Sequence, residues 1–63
     1  MLTSMLKACD NDWDAAFAFL DTCQGVADGS AEPGRFSFLI AHTGISDSIL
    51  TVDIHEAGTY SII

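Results

Sequence analysis

The chain has 63 residues, with nine acidic side chains against two basic ones and a formal net charge of −7. Lys7 and Arg35 are too few to neutralise a run of phosphates, which excludes direct binding of nucleic acid or of an anionic membrane surface. Such a balance favours basic protein partners reached by charge steering, or else simply keeps a small protein dispersed.

The first predicted element covers residues 2–24. Leu2, Leu6, Cys9, Trp13, Ala16, Leu20 and Cys23 recur at alternating steps of four and three, the spacing of one helix face. Met5, Phe17 and Gln24 lie at the margins of that stripe. Thr3 or Ser4 can cap its start, and Gly25 stands where a C-terminal cap is expected. Asp10-Asn11-Asp12 is the weak point, because these residues prefer caps and turns to helix interiors. The apolar phase nevertheless runs through it, so the expectation is one amphipathic helix, or two nearly collinear segments joined near Asp10. At about 100° per residue, Asp10, Asp14 and Asp21 share one flank of the stripe, and Asp12 falls on the other beside Phe19. Asp21 would lie ~16 Å along the helix from Asp10.

Residues 25–34, GVADGSAEPG, read as an acidic connecting loop with turn dipeptides at Asp28-Gly29 and Pro33-Gly34. Val26 is a weak candidate for a short strand start. Residues 1–34 hold six acids and one base, so the charge is concentrated in the helix and loop.

Residues 35–63 read as three strands with alternating apolar faces: Phe36, Phe38, Ile40; Leu50, Val52, Ile54; Tyr60, Ile62. Pairing Ile40 with Leu50 and Phe36 with Ile54 leaves a loop around Thr43-Gly44-Ile45-Ser46-Asp47. Pairing Ile54 with Tyr60 and Val52 with Ile62 leaves the turn Glu56-Ala57-Gly58, with Gly58 where positive φ is needed. The expected fold is therefore α+β, one domain over 1–63, with an N-terminal amphipathic helix on a three-stranded antiparallel meander in the order α-β-β-β. The outer face then carries Arg35, Ser37, Leu39, Thr51, Asp53, His55, Thr59, Ser61 and Ile63. Leu39 and Ile63 share a row with Thr51 there, a candidate dimer or partner patch.

Chemistry-bearing residues are sparse. Cys9 and Cys23 lie on the apolar stripe, ~21 Å apart on a continuous helix, so they read as buried reduced thiols. His42 and His55 fall at different ends of the sheet, and the pair His42 and Asp47 lacks the ligand count zinc requires. Asp10-Asn11-Asp12-Trp13-Asp14 imitates the opening of a calcium loop, but Ala15 and Asp21 replace the glycine and glutamate that should follow. The spacings GxSxG, GxGxxG and GxxxxGK[ST] are absent. Neither a metal nor another cofactor is expected, and the reading is a non-enzyme. No run approaches the ~20 apolar residues of a membrane span, and MLTSMLKACD lacks a basic start followed by an apolar run. The cytosol is the expected compartment.

What remains is the constellation Asp10, Asp12, Asp14, Asp21, Asp28 and Glu32. Carboxylates spread along a helix can meet the lysines and arginines that normally meet phosphates, which would make the chain a competitor of nucleic acid. In overall profile, a short, strongly acidic, motif-free domain with reduced thiols, the chain resembles the small inhibitors carried by phages. It is most similar to anti-CRISPR proteins, and next to anti-restriction DNA mimics. That resemblance implies a non-catalytic inhibitor in the host cytosol, occupying a basic surface of a Cascade-type complex or a Cas nuclease through the acidic row. Two other classes are a homodimeric structural module, joined through Phe36–Ile40 or Thr59–Ile63 and with a solvated acidic face, and a regulatory, antitoxin-like partner of a basic protein. A chain this short buries only about 60% of its unfolded surface, so both monomer and homodimer are open.

Overall fold

The computed structural model describes residues 2–41 and 46–63. Within them the order is α1 (Leu2–Ala8), α2 (Trp13–Asp28), β1 (Gly34–Ile40), β2 (Ser48–Ile54), a 3-10 turn (Glu56–Gly58) and β3 (Tyr60–Ile62). The sheet is antiparallel in the order β1-β2-β3, giving the expected α+β arrangement of helix followed by meander. The Leu2 side chain, His42 and the stretch Thr43-Gly44-Ile45 lie outside the described residues.

The expected single helix is two helices, and the backbone shows why. Asp10 and Asn11 take positive φ, 53° and 64°. The Asn11 N–H donates to the Leu6 carbonyl at 2.9 Å, and the Asp10 N–H to the Lys7 carbonyl at 3.1 Å. That six-to-one and five-to-two pair is a Schellman closure, which satisfies the last carbonyls of α1 and stops it. Asn and Asp tolerate the left-handed region better than other residues with a Cβ. Asp12 then starts α2: its Oδ1 accepts from the Ala15 N–H at 3.2 Å. The cap is Asp12, at one of the three residues whose preference for caps marked the weak point.

At its other end α2 passes Gly25, the expected cap, and runs one turn further to Asp28. Gly29 (φ 84°) closes it with the same hydrogen-bond pair, Ser30 N–H to the Gly25 carbonyl and Gly29 N–H to the Val26 carbonyl. Val26 is therefore a buried helix residue and no strand start. The connecting loop shrinks from the expected 25–34 to 29–33.

This extension also changes the face that α2 buries. Its inward residues are Ala15, Ala16, Phe19, Cys23 and Val26, whereas Trp13 and Phe17 are 53% and 52% exposed. Once α1 is uncoupled, the phase that carried Trp13 inward no longer binds α2. The arc centred on Phe19 gains Val26, and two alanines let the helix sit close. Phe19 is fully buried, stacked on Phe38 (centroids 5.3 Å) and edge-on to Tyr60 (4.7 Å). Burying a ring this completely contributes about 3 kcal/mol. Met5, Cys9, Ile40, Val52 and Ile54 complete the core.

In the sheet, Ile54 pairs with Tyr60 and Val52 with Ile62 as expected, and Gly58 has φ 83°. The β1–β2 register is shifted by two residues from expectation: Ile54 faces Gly34, Val52 faces Phe36 and Leu50 faces Phe38. A shift of two keeps every side chain on its face, so the apolar faces stand. The observed register sets Arg35 opposite Asp53, joined by an ion pair of 3.1 Å, where the expected one set Arg35 against His55. An opposite-charge rung favours the former.

Candidate interaction surfaces

Along α2, Asp14, Asp21 and Asp28 recur at seven-residue intervals, so they fall on one line of the helix with ~10.5 Å between neighbours. At about 100° per residue that line lies opposite the buried arc centred on Phe19. The acids thus form the crest of the helix, not a flank of its apolar stripe, and all three are exposed. The 16 residues of α2 include no lysine or arginine. Beside the crest, the exposed rings of Trp13 and Phe17 lie one turn apart and touch, with centroids 5.8 Å apart.

The other acids of the expected constellation are placed differently. Asp10 is exposed in the α1–α2 turn, outside the line. Asp12 is a structural residue: beyond capping α2, its Oδ2 accepts from the Ala41 N–H at 2.9 Å, fixing the turn to the end of β1. Glu32 is exposed in the loop past Gly29. The structure therefore joins Asp14 and Asp21 to Asp28 and separates them from Asp10, Asp12 and Glu32. The seven-residue spacing was visible in the sequence, but only a helix reaching Asp28 gives it meaning.

The outer sheet face has two parts. At one end Arg35 Nε donates to Asp53 Oδ1, and His55 Nε2 lies 2.8 Å from Ser61 Oγ. This polar cluster sits on an open sheet surface, and Asp53 is engaged by Arg35. At the other end Leu39 pairs directly with Ile49, and the Ile63 N–H donates to the Thr51 carbonyl, which sets Ile63 diagonal to Ile49. Leu39, Ile49 and Ile63 are 60%, 62% and 61% exposed. The expected patch of Leu39 and Ile63 therefore gains Ile49 in place of Thr51, through the two-residue shift of register.

Both cysteines are buried free thiols. Burial pushes each thiol above its ordinary value, and at Cys9 the nearby Asp12 carboxylate raises it further. They are held as neutral core groups. Cys23 lines a narrow apolar groove with Leu20, Gln24, Ala27, Ala57 and Gly58, where the β2–β3 turn meets α2. Among the described residues, no three His, Cys, Asp or Glu side chains come together to hold a metal ion, and no helix is long and apolar enough to cross a membrane.

Comparison with protein-family models, curated proteins and solved structures returns no match.

Proposed function

We propose that the chain is a non-catalytic acidic inhibitor that occupies a basic nucleic-acid-binding surface of a host defence complex. The observation that carries this reading is the crest of α2: three exposed carboxylates in line, no cation on the helix, and an exposed Trp13–Phe17 pair alongside. The two kinds of group divide the work. Exposed ion pairs contribute about 0–1 kcal/mol each, so the carboxylates chiefly accelerate and orient the encounter. The aromatic rings supply apolar area that a partner can cover, the usual source of binding energy at an interface centre. In keeping with the resemblance drawn from the whole profile, the target class is a Cascade-type complex or a Cas nuclease in the cytosol of the cell.

The test is competition. A purified Cascade-type complex and a Cas nuclease are loaded with labelled target DNA and titrated with the chain. Release of DNA by wild type, weakened by added salt and by Asp14/Asp21/Asp28→Asn, supports the proposal. Failure to release DNA from either, or undiminished release by the triple variant, would sink it.

A second reading, a small homodimeric structural or regulatory module, is favoured by the apolar patch of Leu39, Ile49 and Ile63 on the sheet face away from the helices. In that case the crest acids are a solvated face, and their neutralisation leaves association unchanged.

A further inference from the structure

Strand β1 is an edge, and the phase of its backbone can be read from its neighbours. The His55 N–H donates to the Thr59 carbonyl at 2.7 Å and the Ile63 N–H to the Thr51 carbonyl at 3.1 Å. The odd-numbered residues of β2 therefore bond to β3, and antiparallel alternation turns its even-numbered residues to β1. Their partners there are Gly34, Phe36, Phe38 and Ile40. The N–H and C=O groups of Arg35, Ser37 and Leu39 consequently face away from the sheet. Ala41 continues the same parity, and its N–H is the one that Asp12 takes. β1 has a strand neighbour on one side only, so these three amides have no partner in the ladder.

We infer that this edge docks a second copy of the chain, antiparallel and centred on Ser37, so that two three-stranded sheets become one of six strands. Two observations select a second copy. First, β1 carries Arg35, offset by Asp53 across the rung, and no acid, while the acidic excess lies elsewhere. Two chains that repel over most of their surface can approach here without opposed carboxylates. Second, centring on Ser37 overlaps the whole of β1 with its copy, setting Arg35 opposite Leu39 and Phe36 opposite Phe38 of the second chain. Phe36 and Phe38 are only half-buried on the inner face, and this register closes the four rings against one another. A shift toward Ala41 is blocked, because Asp12 already holds that amide.

The strand also lacks the devices that keep edges apart: it has no proline, no lysine and no inward-facing charge. A 63-residue domain gains stability from covering such an edge. The dimer is independent of the acidic-crest reading, and salt separates them. Added salt screens the repulsion between two acidic chains and tightens the dimer, whereas it weakens binding of the crest to a basic partner.

The experiment is sedimentation of the full chain over a range of concentrations at low and high salt, beside Ser37→Pro and Ile49→Asp. At position 37 the N–H faces outward, so proline removes no bond within the sheet and blocks only the edge. The expected result is a dimer strengthened by salt, weakened at least about tenfold by Ser37→Pro and retained in Ile49→Asp. Hydrogen exchange of wild type at low and high concentration decides the matter even if the proline variant does not fold. The Arg35, Ser37 and Leu39 amides should gain protection as concentration rises. A monomer up to about 1 mM, a dimer that survives in folded Ser37→Pro, or edge amides indifferent to concentration would overturn the inference.

Discussion

Asp12 and Ala41, 29 residues apart in sequence, are joined by a 2.9 Å hydrogen bond from the Ala41 N–H to Asp12 Oδ2, while Asp12 Oδ1 caps α2. One carboxylate thus starts the second helix and pins it to the first strand. Removing it as Asp12→Ala loses a cap worth about 1 kcal/mol and a charge-assisted bond of similar size, for a cost of about 2 kcal/mol. Asp12→Asn keeps one acceptor and should lose about half as much. Urea unfolding of the three proteins side by side reads the difference, and equal stability would show that the bridge adds nothing.

The β2–β3 turn gives a prediction with opposite signs at adjacent residues. A Cβ at Gly58 would stand 2.7 Å from the Cys23 carbonyl oxygen and 3.0 Å from the Ala27 Cβ, at a φ of +83°. Gly58→Ala should therefore cost at least about 2 kcal/mol, through backbone strain and a displaced turn. Ala57 itself sits at φ 70°. Ala57→Gly relieves that strain and loses some chain entropy, for a net gain of about 0.5 kcal/mol. Thermal melts should move down for the first variant and up for the second.

Phe19 is the core's largest side chain and touches both Phe38 and Tyr60. Phe19→Ala should cost about 3–5 kcal/mol, a large share of what a domain this small can possess. Loss of the cooperative unfolding transition by circular dichroism is the expected outcome. By contrast, Arg35→Ala breaks an exposed ion pair and should change stability by no more than about 0.5 kcal/mol.

The two thiols predict a pH dependence. Burial raises both above the ordinary thiol value, so folding favours their neutral form. Their contribution is complete below that value and is lost as pH climbs through the higher folded one. Stability should thus fall in the alkaline range, and Cys9→Ala/Cys23→Ala should flatten that limb while lowering stability at neutral pH. Urea midpoints across alkaline pH test this, and native thiols should react slowly with an alkylating agent compared with unfolded chain.

The strands were legible because period-two alternation fixes faces, and the hairpin to β3 was legible because Gly58 demands its place. The β1–β2 register was not: both candidate pairings keep Phe36, Phe38 and Ile40 on one face, so alternation alone does not distinguish them. The helix was misread in one respect for a physical reason. Steps of four and three continued through residues 9–12, although Asp10 and Asn11 could close a helix as Gly29 does. Trp13 then counted as core, and Phe19 was assigned to a flank. The acidic line was legible as spacing but not as a surface, because its position opposite Phe19 follows only from the corrected face.

That position separates two kinds of information in one helix. The buried residues of α2, Ala15, Ala16, Phe19, Cys23 and Val26, face the core, while Asp14, Asp21 and Asp28 lie on the opposite side and take no part in the packing. Substitutions along the crest therefore leave the core intact and act on folding mainly through the charge at the helix ends, Asp14 in the first turn and Asp28 in the last. The charge pattern of this surface can thus change by single substitutions while the core beneath it stays as it is.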